Sequence, residues 1–322
     1  MKDISMPKED LEKAQAFFKE QARKATRPQV QVKCETCMDR GYLRIEKDGY
    51  PYVTKCSCYK KFELEAALNK LPPRYRNCTL VEKPEDGRRR LELPGRDPVS
   101  VASQRRARDE CIEVKDLYID AFINKQPHTL HGLMLHGKVG VGKTHLLGSL
   151  LSDLIHAGLF DVEFVEYNEL FKLIRFTYSR DSPVSNEQLF NRFIRPSVLC
   201  IDDFGMPISG DHEWILDNIG FIINERYVNN RPTLLTSNYW VPIDEDKGDK
   251  KADNIYETRF SHETRAMNDE GNLLKARINY RLRSRIGEMC KPILLEGKDW
   301  RIKMSSRREL ERKVRLNKKD KG

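Results

Sequence analysis

Gly137-Lys138-Val139-Gly140-Val141-Gly142-Lys143-Thr144 satisfies the pattern G-x-x-x-x-G-K-[ST] at every fixed position, and the flanking residues supply the context that this pattern requires. In front of it Leu133-Met134-Leu135 reads as a short buried strand; behind it His145-Leu146-Leu147-Gly148-Ser149-Leu150-Leu151 opens an apolar helix. Strand, glycine loop and helix in that order make a phosphate cradle. The glycines let backbone N–H groups turn toward phosphate oxygens, and the helix start adds free donors and the positive end of its dipole. Lys143 is expected to neutralise the β- and γ-phosphates of ATP, and Thr144 to hold Mg2+ through its hydroxyl. The candidate nucleotide contacts are Gly137, Lys138, Val139, Gly140, Val141, Gly142, Lys143, Thr144 and His145.

Beyond this stretch, apolar runs at residues 162–165, 197–201, 233–236 and 292–295 alternate with helical patterns. That alternation predicts an α/β fold, a mostly parallel sheet with helices on both faces. A run at 243–272 rich in Asp, Glu, Lys and Asn breaks it and is expected to be a surface insertion. Upstream, amphipathic helices are expected at 7–25 and 101–123, and a charged helix at 60–70, stopped by Pro72-Pro73. Gly, Pro and Arg dominate residues 82–98 without periodicity, which reads as a linker. The expected organisation is an N-terminal helix in 1–33, a four-cysteine module in 34–78, a linker in 79–100, an ATPase domain in 101–301 and a basic tail in 302–322.

The 322 residues carry 58 Lys and Arg against 49 Asp and Glu, a formal charge of +9, which points to an anionic partner. Arg88-Arg89-Arg90, Arg105-Arg106-Ala107-Arg108 and the tail hold the main basic clusters; such runs suit nucleic acid or merely a solvated face. No stretch is long and apolar enough to span a bilayer and Met1-Lys2-Asp3-Ile4-Ser5 is no signal peptide, so a soluble, cytoplasmic protein is expected.

Val198-Leu199-Cys200-Ile201-Asp202-Asp203 delivers two carboxylates to the carboxyl end of a strand, where ligands bind in open α/β sheets. Asp202 is expected to bind Mg2+ through water, and Asp203 to orient or deprotonate the attacking water; a plain helix cap is the alternative. Thr233-Leu234-Leu235-Thr236-Ser237-Asn238 ends a strand in an amide that could lean toward the γ-phosphate.

The run from Gly137 through His145-Leu146, with Ile201-Asp202-Asp203-Phe204-Gly205 and Thr236-Ser237-Asn238, resembles the AAA+ ATPases of the DnaC/DnaI helicase-loader and IstB transposition-regulator family. The resemblance covers about residues 101–301. It implies a P-loop AAA+ (RecA-like) fold in which the Asp202 and Asn238 strands flank the phosphate loop, with Asn238 as first sensor. Tyr280-Arg281-Leu282-Arg283-Ser284-Arg285-Ile286 resembles the family's arginine-bearing helix, whose arginine reaches the ATP of a neighbouring subunit. Arg285 is the favoured residue and Arg281 the second. Gly297-Lys298-Asp299-Trp300-Arg301 is similar to the terminal motif, which makes Arg301 the second sensor; few residues follow, so a complete helical lid is not expected. Many AAA+ ATPases carry glutamate where Asp203 stands, which implies slow hydrolysis.

Cys34, Cys37, Cys56 and Cys58 form C-x2-C-x18-C-x-C, four thiolates that could close a tetrahedral Zn2+ site around a small hairpin. Such a fragment has little core, so the metal would supply much of its folding free energy. The segment resembles the zinc-bearing N-terminal modules of DnaI-like and phage-type loaders. Residues 171–180 interleave aromatics with Arg175 and Arg180, a mixture suited to single-stranded DNA, although Phe171, Ile174 and Tyr178 also fit a core-facing stripe. The leading expectation is a slow, DNA-stimulated ATPase that loads a replicative DNA helicase and self-associates through the ATPase domain on single-stranded DNA. The alternative is an IstB-like regulator acting on a transposase. A small-molecule phosphoryl transferase fits the Asp pair and the arginine helix less well.

Overall fold

The computed structural model describes residues 34–38, 40–47, 50–81, 85–90, 98–125, 130–178, 182–206, 212–239, 278, 280–297 and 299. The expected helix at 7–25, the 243–272 insertion, the 302–322 tail, Arg180 and Arg301 lie outside these residues. The described chain opens on strands β1 (Tyr42–Lys47) and β2 (Tyr50–Lys55), then helix α1 (Ser57–Asn69). Two short strands follow, β3 (Cys78–Thr79) and β4 (Arg89–Arg90), and then α2 (Pro98–Tyr118), prolonged by a π-helical turn at Ile119–Ile123. Next come β5 (Gly132–His136), α3 (Lys143–His156), β6 (Val162–Glu166), α4 (Tyr167–Thr177), α5 (Asn186–Ile194) and β7 (Val198–Asp202). The last elements are α6 (His212–Val228), β8 (Thr233–Ser237), α7 (Tyr280–Met289) and β9 (Cys290–Leu294).

Strands β5 to β9 form one five-stranded sheet in the order β6-β7-β8-β5-β9, every pairing parallel. Because successive side chains point to opposite faces, Leu133, Leu135, Val198, Cys200 and Leu234 enter one core while Met134, Leu199, Ile201 and Leu235 enter the other. Helices α1, α2 and α3 cover the first face; α4, α5, α6 and α7 cover the second. The strand leading to Asn238 lies directly beside β5, but the Asp202 strand is one position further out, and β9 takes the other side of β5. The expectation that both strands flank the phosphate loop therefore holds for β8 alone as an immediate neighbour.

Arg226 on α6 is fully buried and ties this second face to the sheet. Its guanidinium donates to Thr233 Oγ1 and to the carbonyls of Phe193, Ile194, Pro196 and Pro232 at 2.6–3.1 Å. Those carbonyls close a corner between α5, β7 and β8 that regular hydrogen bonding leaves open, and a five-donor fork is the side chain that suits it.

Residues 79–100, expected as a linker, begin inside the core on the α3 side of the sheet. Leu71 and Leu80 are each 1% exposed in the cluster that holds α3. The Leu80 amide donates to Asp153 Oδ2 at 2.9 Å, and Arg88 pairs with Asp153 Oδ1 at 2.6 Å. Cys78 and Thr79 pair with Arg89 and Arg90. Single apolar anchors in an irregular segment have no period, so pattern reading passes over them. Among the described residues no helix is long and apolar enough to cross a membrane.

Candidate functional site

The phosphate loop sits between the end of β5 and the start of α3. Gly142 immediately precedes α3 with φ 105°, a left-handed conformation in which a side chain would be strained. Lys143 opens the helix only 5% exposed. Its ammonium donates to the carbonyls of Gly137 and Lys138 and to Asn238 Oδ1, each at 2.8 Å. The charge is therefore held at the loop and tied to the end of β8. His136, the last residue of β5, is almost fully buried; burial and the Lys143 charge push its pKa down to about 4.

Two carboxylates meet the same centre. Asp202 Oδ1 accepts from Thr144 Oγ1 at 2.8 Å and from Thr236 Oγ1 at 2.5 Å. Burial raises the Asp202 pKa above the usual carboxylate range, and those two hydroxyls oppose the shift. Asp203 adopts a positive φ of 54°, uncommon for a side-chain-bearing residue and found where a site holds backbone in place. Its amide donates to Thr236 Oγ1 at 2.8 Å, the Phe204 amide donates to Thr236 O at 2.7 Å, and Asn238 Nδ2 donates to Asp203 Oδ1 at 3.2 Å. Lys143, Thr144, Asp202, Asp203 and Asn238, far apart in the chain, thus share one hydrogen-bonded network. A hydroxyl and a carboxylate that touch can take a divalent cation between them, and a carboxylate beside an amide can orient water.

Thr236 is the residue that reading by motif undervalued: its single hydroxyl fixes Asp202 and the turn carrying Asp203. Its signal was a hydroxyl at the end of an apolar strand. Gln104, on α2 and 1% exposed, was also not singled out; its Nε2 lies 3.4 Å from Val141 O and 3.5 Å from Glu296 O. The terminal motif does run past the loop, since a Cβ on Gly140 would fall 1.8 Å from Asp299 Oδ1. The side chain of His145 turns away from the phosphate cradle. Its ring faces Tyr75 with centroids 5.6 Å apart.

Arg281 and Arg285 both lie on α7, which packs against α6 on the sheet face opposite α3. Arg281 is exposed and Arg285 half-buried near Tyr227, whose hydroxyl donates to Glu288 Oε2 at 2.8 Å. In α4, Phe171, Ile174 and Phe176 are buried, so the stacking expected of the phenylalanines gives way to core packing. Tyr178 is 53% exposed and its ring meets Trp214 edge-on at 5.0 Å. Arg175 is half-buried on the same helix.

The sulfurs of Cys34, Cys37, Cys56 and Cys58 all lie within 4.8 Å of one another. Cys34 and Cys56 are 3.6 Å apart, Cys37 and Cys58 3.3 Å, and the Gly41 amide donates to Cys37 Sγ at 3.3 Å. Four thiolates around Zn2+ at about 2.3 Å would stand roughly 3.8 Å from each other, so the donor set and spacing fit that ion. The antiparallel hairpin β1–β2 lies between the two pairs and the Cys56 amide closes it on Gly41 O at 2.8 Å.

A parallel sheet with a phosphate loop after β5, paired carboxylates after β7 and a polar amide after the strand between them defines an ATP-binding protein of the P-loop AAA+ class. The chain belongs to the family described as IstB-like ATP binding protein, which matches residues 103–279. It is 24% identical over 209 residues to the phage-like element PBSX protein XkdC of Bacillus subtilis, covering 63% of this chain and 71% of that protein. It is 32% identical over 102 residues to the replicative helicase loader DnaC of Buchnera aphidicola, covering 32% of this chain and 40% of the loader. An ATP-binding protein in an insertion sequence of Mycobacterium tuberculosis is 31% identical over 107 residues, 33% of this chain and 40% of that protein.

Proposed function

We propose that this chain is an AAA+ ATPase that loads a replicative DNA helicase, docks its partner through a zinc-bearing N-terminal module and assembles on single-stranded DNA. The observation that carries the reading is the pairing of two units: a four-thiol cluster at the start of α1, and an ATP-type site on α3, the helix against which α1 packs. Similarity to a replicative helicase loader supports the partner. The family match and the insertion-sequence relative favour one alternative, an ATP-dependent regulator of a transposase.

In this reading Lys143 neutralises the β- and γ-phosphates while the amides of residues 137–145 and the start of α3 bind their oxygens. Thr144 and Asp202 would hold Mg2+, which supplies charge neutralisation at the transferring phosphoryl group. Asp203 and Asn238 position the attacking water, and the Asp203 carboxylate accepts its proton. Aspartate in place of the longer glutamate reaches less far, consistent with slow turnover. Arg285 acts on the ATP of a neighbouring subunit, with Arg281 as the alternative, and Arg301 completes the second sensor. Arg175 and Arg180 follow the DNA backbone.

The test is association of the full chain, with ATP and Mg2+, with the purified replicative helicase or with the transposase of the same host. Retention of the helicase in an ATP-dependent complex supports loading. Retention of the transposase alone would replace it by the second reading.

A further inference from the structure

Along one side of α3 stand His145, Gly148 and Ser152, spaced as one helical stripe, and residues 75–80 lie on that stripe. A Cβ on Gly148 would come within 2.7 Å of Tyr75 Cγ and 2.9 Å of Tyr75 Cβ, so the tyrosine rests on the helix backbone where only glycine leaves room. One turn earlier the Tyr75 ring meets the His145 ring. One turn later Ser152 Oγ donates to Arg76 O at 2.8 Å, next to the Asp153 contacts with Leu80 and Arg88. Tyr75 is 6% exposed, with the Arg74 guanidinium 5.0 Å from its ring centre.

The same segment continues without a break to the cysteines. Helix α1 starts at Ser57, between Cys56 and Cys58, and sends Ala67 into the core beside α3. Its last turn passes into a chain of tight turns, with the Leu71 amide donating to Leu68 O, Tyr75 to Pro72 O and Cys78 to Tyr75 O. At the other end, His145 follows Thr144, whose hydroxyl donates to Asp202. The cysteine cluster and the carboxylate centre are thus joined through α1, Tyr75 and the first turn of α3.

We propose that Tyr75 is a positioning residue for the ATP site, acting through His145 and Gly148 to fix the start of α3, so that the state of the cysteine module is felt at Lys143 and Thr144. The coupling is reciprocal: whatever the module does to nucleotide affinity, nucleotide does to the seating of residues 71–81. The inference rests on the ATP reading of the phosphate loop.

The test uses the full chain, Mg2+ and a fluorescent ATP analogue, with Lys143→Ala as control. A wild-type chain that binds no analogue would contradict the ATP reading itself. Given wild-type binding, Tyr75→Ala is expected to weaken it about tenfold, and Tyr75→Phe, which keeps the ring, to restore most of it. In the unsubstituted protein the analogue is expected to slow amide hydrogen exchange over residues 71–81 about fivefold, a readout that does not depend on any variant folding. Exchange unchanged by nucleotide, or Tyr75→Ala binding as tightly as wild type, would overturn the proposal. So would a loss in Tyr75→Phe equal to that in Tyr75→Ala.

Discussion

In the proposed function Lys143 serves nucleotide binding and Asp203 serves turnover. Lys143 is the cation set into the loop, tied by its own hydrogen bonds to Gly137, Lys138 and Asn238. Lys143→Ala should weaken ATP binding at least about a hundredfold, roughly 3 kcal/mol, the upper range for a charge-assisted contact. Asp203→Asn should leave affinity near wild type and lower the hydrolysis rate by about 100- to 10,000-fold, the usual contribution of a positioned base. Equilibrium nucleotide binding and phosphate release measured on both variants check this, and equal turnover by Asp203→Asn and wild type would remove Asp203 from the role. The histidines of the site give a pH signature. His136 and His145 are held near pKa 4 in the fold against an ordinary 6.5, so the unfolded chain binds more protons between those values. Stability is then lost as pH falls from about 6.5 toward 4, and His136→Gln should flatten part of that loss in thermal unfolding. A melting temperature independent of pH across this window would contradict it. Most of the site was legible because each motif is contiguous and closes a strand. Thr236 was harder to value, since its importance lies in hydrogen bonds to Asp202 and Asp203 from another strand.

Among the elements, the sheet was readable because strands buried on both faces are short unbroken apolar runs, and all five lie where such runs were found. Strand order is a tertiary property, which is why β8 between β5 and β7 does not show in any one segment. Around α4, Phe171, Ile174 and Tyr178 admitted two readings: Phe171 and Ile174 are buried in the core, whereas Tyr178 is exposed. The segment from Leu71 to Leu80 was illegible for the opposite reason: its anchors are single residues in turns. In hairpin β1–β2 most of the described strand residues are exposed, from Tyr50 to Lys55 without exception. With so little apolar burial, its order should depend on the metal. One zinc per chain is expected by elemental analysis, and Cys34→Ser should lose it and raise hydrogen exchange over residues 42–55. Helix α1, whose Ala67 packs in the core beside α3, should lose less protection than the hairpin. Protein purified without chelator that holds no stoichiometric metal would contradict this prediction.

At the scale of the whole molecule, α3, which begins at the phosphate loop, and the arginine helix α7 cover opposite faces of the sheet. An Arg285→Ala subunit retains its phosphate loop, and a Lys143→Ala subunit retains its arginine. If the arginine acts, as proposed, on the transition state of the adjoining site, mixed assemblies should recover part of the hydrolysis that neither variant has alone. Co-assembled mixtures that stay inactive would exclude Arg285 and turn attention to Arg281. The central claim is that ATP bound at Lys143 drives delivery of a helicase to DNA. Its most direct measurement is the amount of replicative helicase transferred to a protein-coated single-stranded circle by wild-type and Lys143→Ala chains, with and without ATP. The account predicts loading by the wild type with ATP and none by the variant; equal loading by both, or none by either while the helicase is otherwise active, would contradict it.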